Sequence, residues 1–496
     1  MRDRLLRHPL GDGFSAERVA SLVLGEALPV DARPDGFWLD SGVDGPAYIG
    51  TGERVVLREG EDVLPQLAAG LDRLRAEADA DANAGVGVGR EDDATDTVPP
   101  LAFRLGLVGW FGYELRGETT GAVVPHAHDA DAGDPAAFLA VDRAAVVHPD
   151  GSAELIALGA DDRDDMGVDA ASASWSADQT DWPSDLADWR DDLAARLRAD
   201  RDTASAHPLP GPITPGPATA VRVTSDADYL AQVRACQAAI RDGEAYQLCL
   251  TTEVRVDAHP DPLELHRRVR AASPTHHGAL LSIGGTALVS ASPERFLTVT
   301  PDGTVETSPI KGTRPRSADP GDDARLAAEL LASDKERAEN LMIVDLMRND
   351  LTRIGDPGSV EVTQLLEVES YAQVHQLVST VRARLRPGLD AVDAIASCFP
   401  AGSMTGAPKR RATEILDALE NRARGPYAGC FGYLGVDGAA DLAMTIRTIV
   451  LDASTGGRGG ARIGTGGGIT ALSVPDEELE ETRVKAAPLI AALGVR

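Results

Sequence analysis

Hydrophobic and polar positions recur with two different periods along this chain. Between 334 and 347 neither Gly nor Pro intervenes and Ala, Leu, Met, Glu, Lys and Arg dominate, a composition that predicts a helix. At helical spacing Glu336 and Glu339 share a stripe with Ile343 and Leu346, so both carboxylates continue an apolar face instead of opposing it. Near the C-terminus, Ser473 followed by Asp476 fits a capping box and predicts a second helix with Glu478, Glu481 and Lys485 along one side. Helices are also expected at 189–197, 226–242 and 413–423. Runs rich in β-branched and aromatic residues predict strands at 37–42, 105–113, 245–254, 279–283, 287–290, 296–300, 429–436, 442–450 and 461–464. The segments 359–362 and 374–384 read as extended or mixed, and 84–97 as a Gly/Asp-rich loop. Gly and Pro turns between strands give meanders, so the class is α+β with mostly antiparallel sheet. The segment 207–217 holds five prolines and is the best linker, which divides the chain into 1–206, a linker at 207–222, and 223–496.

Charge changes this picture little. A formal charge of −30 and a pI near 4.7 argue against nucleic acid or an anionic membrane as partner. No apolar run is long enough to span a membrane and no signal-peptide core is visible, which predicts a cytoplasmic protein. Cys236, Cys249, Cys398 and Cys430 lack metal or disulfide spacing. Lysine occurs only at Lys311, Lys335, Lys409 and Lys485, and arginine supplies the rest of the 48 basic residues. An acidic surface this poor in lysine resembles proteins of salt-loaded cytoplasm, where salt screens the self-repulsion. Where arginine is so preferred, a retained lysine draws attention to chemistry that arginine cannot perform, such as nucleophilic attack.

Two helices that each turn an E-x-x-E pair inward suggest a hard cation held by oxygen ligands, with Mg²⁺ the best fit; the competing reading is two solvated acidic faces. Lys311 sits between Pro309 and Gly312 at the end of an expected strand, as an exposed turn lysine or a nucleophile. The Gly-rich turn at 399–409 offers backbone N–H groups to an anion, but Pro408 and Arg410 exclude a P-loop. Gly464, Gly466, Gly467 and Gly468 open no helix, so they read as a strand end against which a ligand lies. His375 lies in a strand-like run, and Arg447 interrupts another, where an arginine usually answers an anion.

These pieces, in order, carry a resemblance. Ser292-Pro293-Glu294-Arg295-Phe296, 309–313, Glu339 with 345–350, 402–409, Phe431-Gly432-Tyr433, Ile446-Arg447-Thr448, 466–468, and Glu481-Thr482-Arg483 with Lys485 resemble the chorismate-binding domain shared by anthranilate, aminodeoxychorismate, isochorismate and salicylate synthases. The match covers about 225–490, and the region before it is a weaker match to the family's N-terminal half. The resemblance implies an anthranilate synthase component I-like fold, with large, mostly antiparallel sheets in a sandwich flanked by helices. It implies that Glu339 and Glu481 bind Mg²⁺, supported by Glu336 and Glu478, and that Lys485 holds the ring carboxylate of chorismate. Tyr433, Arg447 and backbone at Gly467 or Gly468 would take the enolpyruvyl carboxylate; Thr313, Ser403 and Thr405 would line the pocket, and His375 would face the departing C4 hydroxyl. Gln247 stands where the water-adding isochorismate branch has its activating lysine, which excludes that branch. Lys311 stands where anthranilate-forming relatives usually carry Ala, which points to the branch that makes 4-amino-4-deoxychorismate and to a covalent role for Lys311. The alternatives are anthranilate formation and a silent chorismate- or tryptophan-binding homologue. A separate glutamine amidotransferase (glutaminase) subunit is the implied partner. The segment from Trp38 to Gly42 resembles one that binds tryptophan in relatives, which singles out Leu39 and Ser41. Departures occur at 273–277, where an Asn-x-x-Pro-aromatic run is common, and at Cys249, where Asn is common.

Overall fold

The computed structural model describes residues 5–41, 45–80, 101–129, 132–159, 182–203, 218–371, 374–452 and 460–495. Two large sheets organise them. The first runs Leu5–Gly11, Ala153–Leu158, Arg143–Val147, Ala47–Thr51, Gly36–Asp40, His277–Ile283, Thr286–Ser292, Thr448–Asp452, Gly460–Ile469, Gln247–Val256 and Gly406–Ala407, with Ala220–Arg222 also on Gln247–Val256. The second runs Ile310–Pro315, Val374–Arg384, Thr304–Thr307, Arg295–Val299, Ala440–Met444, Cys430–Gly435, Gly106–Phe111, Ala136–Val141 and Glu53–Arg54, with Glu361–Ser370 also on Val374–Arg384. The pairings are antiparallel, as the meander pattern predicted.

Period-two alternation builds the layers. On Gly36–Asp40, Phe37 and Leu39 enter the core between the sheets with Trp110, Phe431 and Val450. Trp38, one position between them, faces the opposite way into a core shared with helices Ala16–Val23 and Pro262–Ala272. The outer face of the second sheet is covered by Val63–Ala80, Asp334–Thr352 and Ala391–Cys398. The result is a sandwich with helices on both outer faces. Among the described residues no helix is long and apolar enough to cross a membrane.

The two lengths of chain before and after the expected linker do not fold apart. Gly36–Asp40 pairs with His277–Ile283, and Gly106–Phe111 pairs with Cys430–Gly435, so both sheets are built from both halves. The boundary drawn at 207–222 therefore separates lengths of sequence and not folded units; 207–217, the loop at 84–97 and Gly42 lie outside the described residues. The expected strand 442–450 is two strands, broken at Arg447, whose φ is +50°. The C-terminal helix is Pro475–Ala492, with Pro at its start and no side-chain cap. Ser473 does not form the expected capping box; its hydroxyl accepts from the N–H of Thr470 at 3.1 Å. The strands between 136 and 158 and the helices Val63–Ala80 and Pro320–Ala332 were not read from the sequence.

Candidate active site

Helices Asp334–Thr352 and Pro475–Ala492 bring their carboxylates together over the strand Gly460–Ile469. Glu478 is 2% exposed, and its Oε2 would lie 3.0 Å from a Cβ at Gly467; Glu481 Oε1 would lie 3.7 Å from the same point. Glycine at 467 thus gives the Glu478 carboxylate room against the strand. Gly312 does the same for Glu336, whose carboxyl carbon would meet a Cβ there at 2.9 Å, and its φ of +82° favours glycine. Two ammonium groups answer these acids. Lys485 Nζ lies 2.5 Å from Glu481 Oε1 and donates to the carbonyl of Gly466 at 2.8 Å, whereas Lys335 Nζ lies 3.4 Å from Glu478 Oε1.

Charge is left over. Glu339 is 8% exposed, and its Oε1 is buried without a hydrogen-bond partner among the described residues. Burial, reinforced by Glu336 and Glu478 and tempered by Lys311 and Lys335, pushes its carboxyl up to about 7. Partial desolvation raises Glu481, whose side chain is 45% exposed, but Lys485 outweighs that and holds it below the ordinary range. An unpartnered buried carboxylate oxygen beside three more carboxylates fits a hard divalent cation. Among the described residues no three acidic, imidazole or thiol groups already converge on one ligating point, so a bound ion would draw these side chains in.

Facing the acids stands Lys311. The register between Ile310–Pro315 and Val374–Arg384 shifts between Ile310 and Thr313, so Lys311 and Gly312 form a bulge. Bulges re-aim side chains, and this one serves the lysine. Lys311 makes no hydrogen bond or ion pair among the described residues, and its charge is felt by Glu294, Glu339 and Glu481. Glu294 belongs to this set although the sequence reading gave it no role. Burial raises its carboxyl, against Lys311, a hydrogen bond from Ser403 and Lys485. The signal was available: a Glu between strands Thr286–Ser292 and Arg295–Val299, inside a motif already singled out.

The opposite end is built for an anion. Arg447 is half-buried and sits in the left-handed region between two strands; its carbonyl accepts from the N–H of Ala291 at 3.0 Å, but its guanidinium has no hydrogen-bond or ion-pair partner among the described residues. Burial lowers its affinity for its proton, while Tyr427 and Glu481 oppose that shift. Tyr427 packs its ring on Gly464, where a Cβ would come within 2.0 Å of it. Gln247 is fully buried with both amide atoms unpartnered among the described residues, and a Cβ at Gly468 would lie 2.3 Å from its Nε2. Thr405 is spent locally, donating to the carbonyl of Ala401 at 3.0 Å.

Other expected residues make contacts of their own. Tyr433 points between the sheets, donates to the carbonyl of Ala102 at 3.1 Å and packs on Phe103, so Tyr427 takes the place beside Arg447 that was expected of it. His375 pairs across from Arg314, and both ring nitrogens are engaged, Nδ1 with Ser370 at 2.7 Å and Nε2 with Asp323 at 3.0 Å. Thr313 is exposed on the edge strand Ile310–Pro315, next to Val374–Arg384. Leu39 and Ser41 line a cavity of about 30 Å³ with Tyr48, His277 and Tyr433. That volume suits one water and not an indole, although Ser41 and His277 also border an adjoining open cleft of about 760 Å³.

Comparison with known proteins follows this geometry. Residues 33–491 match the family described as chorismate binding enzyme. Aminodeoxychorismate synthase of Streptomyces griseus is 44% identical over 397 residues, 79% of this chain and 51% of that protein. The chain thus spans about half the length of that relative. Anthranilate synthase component 1 of Mycobacterium bovis is 35% identical over 490 residues, 93% of this chain and 88% of that protein. The structure of anthranilate synthase component I from Streptococcus pneumoniae superposes with a TM-score of 0.64 at 24% identity, covering 99% of this chain and 92% of that one, which shows the shared fold.

Proposed function

The chain belongs to the family of chorismate binding enzymes, and from that premise we propose that it aminates chorismate at C4, giving 4-amino-4-deoxychorismate for para-aminobenzoate and folate synthesis. The observation that carries this reading is Lys311: an unpaired amine, re-aimed by a bulge toward buried carboxylates. The 44% identity to an aminodeoxychorismate synthase supports it.

Chorismate is a dianion. Arg447, with Tyr427 beside it, would take one carboxylate, and Lys485 the other. Glu336, Glu339, Glu478 and Glu481 would hold Mg²⁺, which when bound supplies Lewis-acid polarisation of the ring carboxylate. Glu294, raised by burial, receives a proton from Lys311; the freed amine attacks C2 while the ring double bonds shift and the C4–O bond breaks. Glu294 returns the proton to the departing hydroxide, which leaves as water. Ammonia then bonds to C4, the double bonds shift back, and the lysine nitrogen departs from C2 and takes up the proton that the new C4 ammonium sheds. Chorismate and ammonia become aminodeoxychorismate and water. Ammonia would come from a glutaminase, since no nucleophile-elbow segment stands among these residues.

Product identification with chorismate, Mg²⁺ and an ammonium salt tests the reading. Aminodeoxychorismate is expected; fluorescent anthranilate formed without any lyase would assign the second reading, which the 35% identity along 93% of the chain favours.

A further inference from the structure

We propose that Lys335 is an exchangeable internal cation: its ammonium holds the place of a divalent ion at Glu478 and leaves when that ion binds. The proposal rests on reading Glu339, Glu478 and Glu481 as the holders of a metal.

The two lysines of the carboxylate cluster are held differently. Lys485 is fixed by two acceptors, Glu481 Oε1 at 2.5 Å and the Gly466 carbonyl at 2.8 Å. Among the described residues Lys335 has a single partner, at 3.4 Å, and its side chain is 39% exposed, so a path to water is open. Its position is unfavourable on local grounds, because it is the second residue of the helix Asp334–Thr352, where the helix N-terminus repels cations. What holds it there is the acid cluster across the site, on the helix Pro475–Ala492. Glu478 is 2% exposed, and without the ammonium its charge would be buried beside the unpartnered Glu339 Oε1. A lysine suits exchange better than arginine, because its ammonium is compact, strongly hydrated and mounted on a flexible stem. The cluster is then partly neutralised whether or not metal is present, and the metal must displace an internal competitor to enter.

The test uses Mn²⁺ as a spin probe for the divalent site, titrated into the full chain without chorismate and followed by electron paramagnetic resonance. Lys335→Met is expected to bind Mn²⁺ on the order of tenfold more tightly than the parent protein, since one competing charge is gone. It should also melt lower without metal, and recover most of that loss when metal is added. Unchanged or weaker Mn²⁺ binding in Lys335→Met overturns the exchange. Should that variant fail to fold, the parent protein still decides: lysine-selective labelling gives four signals, one of which Lys335→Arg identifies, and on Mg²⁺ addition it should move to the position of a solvated lysine. A Lys335 signal unmoved by saturating metal overturns the proposal as well. If the parent chain binds no Mn²⁺, and Glu339→Gln changes nothing, the metal reading fails first and this proposal with it.

Discussion

Two arginines close in the chain, Arg424 buried and Arg447 half-buried, are treated in opposite ways. Arg424 spends its guanidinium fully: two bonds to Glu420 at 2.9 and 2.7 Å, one to the Met404 carbonyl at 2.8 Å, one to the Cys249 carbonyl at 3.0 Å. Arg447, 23 residues on, has no such bond among the described residues. The same contrast separates Glu420, which also accepts the N–H of Thr251 at 2.8 Å, from Glu339 with its orphaned oxygen. Burying charge is costly unless it is answered. Arg424 is answered by the protein and ties the 402–408 turn to the strand Gln247–Val256; Arg447, Glu339 and Gln247 are left for a ligand to answer.

The contrast makes quantitative demands. Lys311→Ala should lower amination by roughly 10²–10⁴-fold with the fold intact, and Lys311→Arg should be nearly as poor, because a guanidinium does not deprotonate. Near-normal turnover in Lys311→Arg would reduce Lys311 to a counter-charge. Arg424→Met should cost about 3–5 kcal/mol of stability in denaturant melts, since Glu420 is then buried unpaired. Arg447→Gln should leave stability unchanged or improve it, while kcat/KM for chorismate falls on the order of 10²-fold. A large stability loss there would mean that Arg447 has a structural partner after all.

Buried histidine gives a smaller effect. His266 is fully enclosed against Trp38, and burial, with Arg270 and Arg267, pushes it down to about 3. It is neutral in the fold but charges in the unfolded chain below about pH 6.5, so stability should decline as pH falls from there toward 3. The loss at pH 5 is about 2 kcal/mol from this group, and it should vanish from the pH dependence of melting in His266→Leu. The smallest effect separates the tyrosines. Tyr427→Phe should raise KM a few-fold or roughly so, whereas Tyr433→Phe should cost about 1 kcal/mol of stability and leave KM alone. The reverse outcome would return Tyr433 to the substrate.

Much of the site was legible because it lies on regular elements. The helical stripe of Glu336 and Glu339 and the set Glu478, Glu481 and Lys485 follow from a fixed period. Gly467 and Gly468 were read as a surface for a ligand, and they clear space for Glu478 and Gln247. What escaped depends on pairing between distant strands. Tyr427 and Tyr433 are six residues apart and chemically alike; only the paths of Cys430–Gly435 and Gly460–Ile469 decide which ring meets Arg447. His375 was assigned by position in a motif, and its partner Asp323 sits on a helix that the sequence reading did not draw. Strand 442–450 looked continuous because a left-handed arginine leaves no mark in a hydrophobic pattern.

The sharing of both sheets by both halves also sets a timetable for synthesis. Gly106–Phe111 leaves the ribosome more than 300 residues before Cys430–Gly435, the strand it pairs with. At translation rates of roughly 5–20 residues per second, that interval is roughly 15–60 s. Throughout it Trp110 and Phe111 belong to a strand with one edge unpaired, and Phe37 and Leu39 wait similarly for His277–Ile283. Slowing the translation of such a chain should lower soluble yield more than slowing that of a protein whose sheets close locally.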